Sequence, residues 1–174
     1  MPRTHHQRIF LPLLALVVLL LAACSQNKDR FLNRTFHKLN ARDNGWFNGN
    51  EKLKEVVATI ERNHEEDFDE VLPIFVYGTE EQAKAATADL EKCIEKCALV
   101  IKRHSMRFKD KERNNWIDDS YLVISKAKFY QRKYYDAQRA SDQLGRRFKG
   151  QDKQLQGKLW YARTLIQLEQ YAKA

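Results

Sequence analysis

Residues 9–23 of this chain are an unbroken apolar run apart from Pro12. Fifteen helical residues cover about 22 Å, short of the ~30 Å hydrocarbon core of a bilayer. The run follows an N-terminus that carries Arg3 and Arg8 and no acid. A basic start and a short apolar run fit a secretory signal better than a permanent transmembrane helix. This feature splits the sequence in two. What folds begins after Ala23, and whole-chain averages describe neither part.

The chain has 174 residues, 43% of them hydrophobic and 31% charged, with 31 Lys+Arg against 23 Asp+Glu. It is long enough for one domain with a real core and too rich in aromatics for a disordered tail. Three cysteines exclude a dense disulfide scaffold. The apolar run ends Leu21-Ala22-Ala23-Cys24, which resembles the bacterial lipobox. That resemblance implies a diacylglyceryl thioether on Cys24, cleavage between Ala23 and Cys24, and acylation of the new amine. Several acyl chains, at about 0.8 kcal/mol per buried methylene, make a stable anchor. No Asp follows the Cys directly, and Ser25-Gln26-Asn27-Lys28-Asp29 holds no acidic cluster. An outer-membrane lipoprotein facing the periplasm is therefore expected.

Residues 24–30 read as a lipidated tether. From Phe31 the chain turns amphipathic, with Phe31, Leu32, Phe36 and Leu39 at helical spacing. Asn44-Gly45 is expected to break or bend that element. Leu53, Val56, Val57 and Ile60 mark a packed helix over residues 51–63. Residues 71–78 include Pro73 and have no partner strand, so an extended apolar connector packed on the helices is expected. Thr79 and Gln82 form a capping box that opens a helix to about Arg103, with Leu90, Cys93, Ile94, Cys97 and Ile101 as its buried stripe. A charged connection spans residues 109–113. Helices are predicted over residues 116–130, 134–148 and 155–168, with a turn at Gln131–Lys133. The expected organisation is a signal peptide (1–23), the tether (24–30), an N-terminal helical region (31–112) and paired helices (113–174). No convincing sheet is expected.

Shifting the sequence by 37 residues places Ile124 on Tyr161, Ser125 on Ala162, Tyr134 on Tyr171 and Ala137 on Ala174. This resembles the tetratricopeptide repeat. In that repeat small residues let the paired helices approach and the late Tyr packs in the turn. Tyr121, Ile124, Ser125, Tyr134, Ala137, Tyr161, Ala162, Tyr171 and Ala174 are the candidate packing residues. The pattern departs from the usual repeat. Arg132 and Glu169 replace the turn glycine, Ser141 stands where an aromatic is common, and no Pro closes the copy. The expected fold class is all-α, an α-solenoid of helical hairpins. Its second copy stops at Ala174, so the sequence is expected to be the N-terminal piece of a longer protein.

Four stretches together resemble one family. They are residues 36–42, Asn44-Gly45-Trp46-Phe47-Asn48-Gly49-Asn50-Glu51, Arg103-His104-Ser105-Met106, and residues 116–130. They are similar to the N-terminal region of the PorW/SprE-type tetratricopeptide lipoproteins of the type IX secretion and gliding machinery of Bacteroidetes. The resemblance implies an outer-membrane, periplasm-facing scaffold that links translocon and periplasmic components by protein–protein binding. The expected partners are proteins of that machinery and, through the lipid, the outer membrane. Two other readings are a SusD-like glycan-binding lipoprotein and another repeat-type envelope assembly lipoprotein. A peptidoglycan enzyme would need a second domain after Ala174.

No catalytic or metal-binding constellation is legible, and no cofactor or small-molecule substrate is expected. Cys93 and Cys97 share a helix face, where core packing is favoured over a strained bridge or a ligand role. His37, His64 and His104 are scattered and match no zinc-protease spacing. His104-Ser105 has no third partner in a recognisable frame. The basic excess, concentrated in Arg146-Arg147-Phe148-Lys149 and residues 126–133, is read as a solvated repeat face or a surface for lipid headgroups or an acidic partner. Export removes the case for nucleic acid.

Overall fold

The helices of this chain begin and end where local chemistry allows. The computed structural model describes residues 29–69, 71–150 and 153–174. Ala23, Cys24 and the apolar run lie outside the described residues. The α-helices are α1 (Phe31–Asn40), α2 (Phe47–Arg62), α3 (Glu80–His104), α4 (Trp116–Tyr130), α5 (Tyr134–Arg147) and α6 (Lys153–Gln167). The fold is mostly helical and of the all-α class. No described helix is long and apolar enough to cross a membrane.

Asn44-Gly45 does not break the first element. Residues Ala41–Trp46 form a π-helical turn that joins α1 to α2, and the Phe47 N–H donates to the Arg42 carbonyl five residues back. The glycine serves by lacking a side chain. A Cβ on Gly45 would sit 2.1 Å from Val100 Cγ2, and one on Gly49 would sit 3.0 Å from Cys97 Sγ. Ala41, Gly45 and Gly49 are all buried and let α3 approach closely. Cys93 and Cys97 are free thiols with no exposure, packed in the core opposite these glycines. Burial pushes their pKa up, to about 11 for Cys93 and about 12 for Cys97.

Helix α1 turns its apolar residues outward. Phe31, Leu32, Phe36 and Leu39 are 71%, 73%, 42% and 47% exposed, while Asn33 and His37 are buried. The periodicity located the helix, but the inward side is the polar and small one.

The Thr79 capping box forms as expected. Gln82 N–H donates to Thr79 Oγ1 at 3.2 Å, and Thr79 N–H donates to Gln82 Oε1 at 2.9 Å. Only the second half of the preceding connector packs. Val76 and Tyr77 lie on the core, whereas Val71 and Ile74 face solvent. The connection after α3 is more ordered than expected. Arg107–Phe108 (β1) pairs antiparallel with Lys111–Glu112 (β2), turned by Lys109 and Asp110 at φ 48° and 60°. Two successive left-handed residues make the tight hairpin turn that glycines usually supply. This small hairpin corrects the expectation of no sheet.

The turns after α4 and α6 share one geometry. Arg132 (φ 59°) and Glu169 (φ 57°) are both left-handed. Lys133 N–H donates to Lys128 O at 3.0 Å, and Gln170 N–H to Leu165 O at 2.9 Å. Arg132 N–H donates to Phe129 O, and Glu169 N–H to Ile166 O. These are left-handed helix ends without glycine. One continuous core joins α2, α3, α4, α5 and α6, with Phe129, Leu144, Phe148 and Trp160 in its C-terminal half. Residues 31–112 and 113–174 thus share their interior.

Candidate functional site

Two cations without an ion-pair partner among the described residues, Lys126 and Arg163, meet at one indole between α4 and α6. Trp160 is packed from below by Phe129 and Tyr130, at centroid distances of 5.3 and 6.0 Å. Burial pushes the Tyr130 hydroxyl up to about 12, so it stays protonated. Lys126 Nζ stands 5.2 Å from the Trp160 ring centroid. Arg163 Cζ stands 4.8 Å from the same indole and 3.6 Å from the ring of Phe75 in the connector. Stacking on π-faces is a favourable way to hold a guanidinium that has shed water.

Neither cation is neutralised. Among the described residues Lys126 and Arg163 have no carboxylate within ion-pair distance, and Arg163 Nε is buried without a hydrogen-bond partner. Burial lowers the Lys126 pKa, and the nearby Arg163 and Lys153 lower it further. Asp119, whose charge acts on Lys126 in the opposite direction, is engaged by Lys153 at 2.9 Å. Two like charges beside one indole repel in a partly desolvated setting. An incoming carboxylate would relieve that repulsion. Sequence reasoning singled out the basic run that includes Lys126 but missed its meeting with Arg163 and Phe75, because the three belong to distant segments.

The candidate repeat residues are placed unevenly. Ser125 and Ala137 are buried; Tyr121, Ile124, Tyr134, Tyr161 and Ala162 are half-buried. Tyr134 packs 5.5 Å from Phe129, and its hydroxyl bonds to Gln167 Oε1 at 3.2 Å. The Tyr121 hydroxyl accepts from Arg147. Tyr171 and Ala174 are exposed, in and after a short 3-10 turn at Tyr171–Lys173.

The histidines are not all scattered. His37 and His104, 67 residues apart, meet with Nδ1 atoms 3.0 Å from each other. Asn114, fully buried, ties them in by donating to the His104 carbonyl at 2.9 Å and the His37 carbonyl at 3.3 Å. Ser105 Oγ donates to Glu112, not to a histidine. Among the described residues no group of three or more His, Cys, Asp or Glu could hold a metal.

One proton fits between the two rings and two do not. Burial lowers the pKa of both histidines, and for His104 the neighbouring His37 and Arg103 add to it. A lowered folded pKa means the unfolded chain binds protons first. Stability is therefore intact above about pH 6.5 and lost as pH falls below it. Asp118 works in the opposite direction. It is buried, and burial followed by the adjacent Asp119 raises its pKa from 3.8 to about 6. The fold takes up a proton there before the unfolded chain does, and gains stability as pH falls through about 6. Asp118→Asn should add about 1–2 kcal/mol at neutral pH, after allowance for solvent screening. It should also steepen the acid loss, because the opposing gain at Asp118 is then gone. Urea melts at pH 7.5 and 5.5 measure both effects.

Searches of protein-family models and of curated protein sequences found no match to this chain.

Proposed function

We propose that this chain is a lipid-anchored helical-repeat scaffold of the outer membrane, of the type IX secretion and gliding class. It acts by binding proteins and is not an enzyme. The observation that carries the repeat reading is the pair of turns at Arg132 and Glu169. Two left-handed, non-glycine residues with matching hydrogen bonds stand 37 positions apart, the period at which Ser125 and Ala162 align. Helix α6 also turns Leu155, Leu159 and Ile166 outward, as a helix does when another is to stack on it.

The cation pair over Trp160 supplies the binding chemistry. Lys126 and Arg163 sit on α4 and α6, the first helices of the two copies. Such helices line the inner face of a solenoid, and an acidic segment of a partner fits there. A glycan reading is less well served, because sugars stack on bare aromatic faces and this indole already holds two cations.

The test is export in cells. Removal of the protein should leave type IX cargo in the periplasm. A Lys126→Glu, Arg163→Glu double variant should do the same at normal protein level. Normal cargo export in the deletion would refute the role, and normal export in the variant alone would refute the site. Mass spectrometry of the membrane fraction should find Cys24 acylated.

A further inference from the structure

Helix α1 is inverted relative to the domain it belongs to. Its inward side is Asn33 and His37, continued by Ala41. Its outward side is Phe31, Leu32, Phe36 and Leu39, an apolar stripe on one face of ten residues, interrupted by Thr35. Lys38 borders the stripe and Arg30 precedes it at the N-cap, and neither has an ion-pair partner among the described residues. Four side chains on one short helix are too few for a stable protein interface, which needs about 20–30 residues on each side. An amphipathic helix with a basic border is instead the form that settles into a lipid headgroup layer.

Position favours the same occupant. Six residues, 25–30, separate Cys24 from Phe31, so even a fully extended tether reaches only about 25 Å. We propose that α1 lies flat in the surface of the bilayer that holds the Cys24 lipid. Phe31, Leu32, Phe36 and Leu39 enter the acyl boundary, while Arg30 and Lys38 meet the phosphates of anionic phospholipids. The inference rests on the reading of Cys24 as a lipid anchor. Its consequence is a fixed orientation, with the domain held against the membrane by one face rather than swinging on its tether.

The test uses the full chain as processed in cells, reconstituted in vesicles of phosphatidylethanolamine and phosphatidylglycerol in equal amounts. An environment-sensitive fluorophore is placed on Leu32→Cys or, as a control, on Lys54→Cys in α2. The buried Cys93 and Cys97 do not compete for label. Only protein that floats with the vesicles is read. Emission from position 32 should shift to the blue and be quenched by brominated acyl chains, with neither effect at position 54. Leu39→Glu should return the position-32 signal to that of the control while the circular dichroism stays unchanged. Floating protein with equally wet labels would overturn the inference and leave the anchor standing. A blue shift without lipid quenching would mean that protein covers the face, which also overturns it. Failure to float would remove the anchor and this inference together.

Discussion

Gly45→Val should destabilise the domain by about 2–3 kcal/mol, near the upper end of what overpacking costs. A Cβ at that position lies 2.1 Å from Val100 Cγ2, and the Lys96 carbonyl is 3.5 Å away. The valine methyls would extend further into the same wall. Relief requires α3 to retreat, and the contacts of Cys93 and Cys97 with the Gly49 region would open with it. The helix itself gains from losing a glycine, by under about 1 kcal/mol, so the net sign is set by the contact. Gly145 provides the comparison within one protein. It lies inside α5, and a Cβ there meets nothing within 4 Å. Gly145→Ala should stabilise by about 0.5–1 kcal/mol. Urea unfolding of the two variants beside the unaltered chain gives both values. A neutral Gly45→Val would mean that the π-helical turn and α3 are not in close contact.

Phe129→Ala should cost about 3–5 kcal/mol, the range for removing a large buried aromatic. The ring is 1% exposed and meets Tyr77, Tyr130, Tyr134 and Trp160 at centroid distances of 5.3–5.7 Å. Its neighbours come from the connector, α4, α5 and α6, so the cavity would be felt in all four. Because Trp160 rests on Phe129, the loss should also displace the Lys126–Arg163 pair. Phe129→Leu refills most of the volume and should recover more than half of the stability. A Phe129→Ala variant as stable as the parent would show that these rings do not hold the C-terminal half together.

Much of the fold could be read from spacing. Leu53, Val56 and Ile60, then Leu90, Cys93 and Cys97, recur every three or four residues and are buried as that spacing requires. Thr79 and Gln82 fixed a helix start through local chemistry, and α4 begins and ends where expected. Periodicity was silent on which side of α1 faces the protein. A helix with apolar residues on one face and small ones on the other has two candidate faces, and distant packing chose between them. The signal that could have decided it is the line Ala41, Gly45, Gly49 facing the cysteines of α3. The Lys109-Asp110 turn was hidden because residues with side chains occupy a conformation that sequence rules reserve for glycine. The His37–His104 contact and the cation pair at Trp160 depend on long-range approach, which no local pattern encodes.

The π-helical turn at Ala41–Trp46 sets the rotational phase of everything before it. Each step of four residues in an α-helix overshoots a full turn by about 40°. The buried line from Asn33 to Leu53 takes five such steps, about 200° of drift in a regular helix, and the wider turn takes back about half of it. Deleting one residue there would restore regular winding and rotate α1 by about 100° against α2. A single-codon deletion would then act as a dial, swinging Phe31 and Leu32 away from their outward direction while leaving every side chain of the helix unchanged.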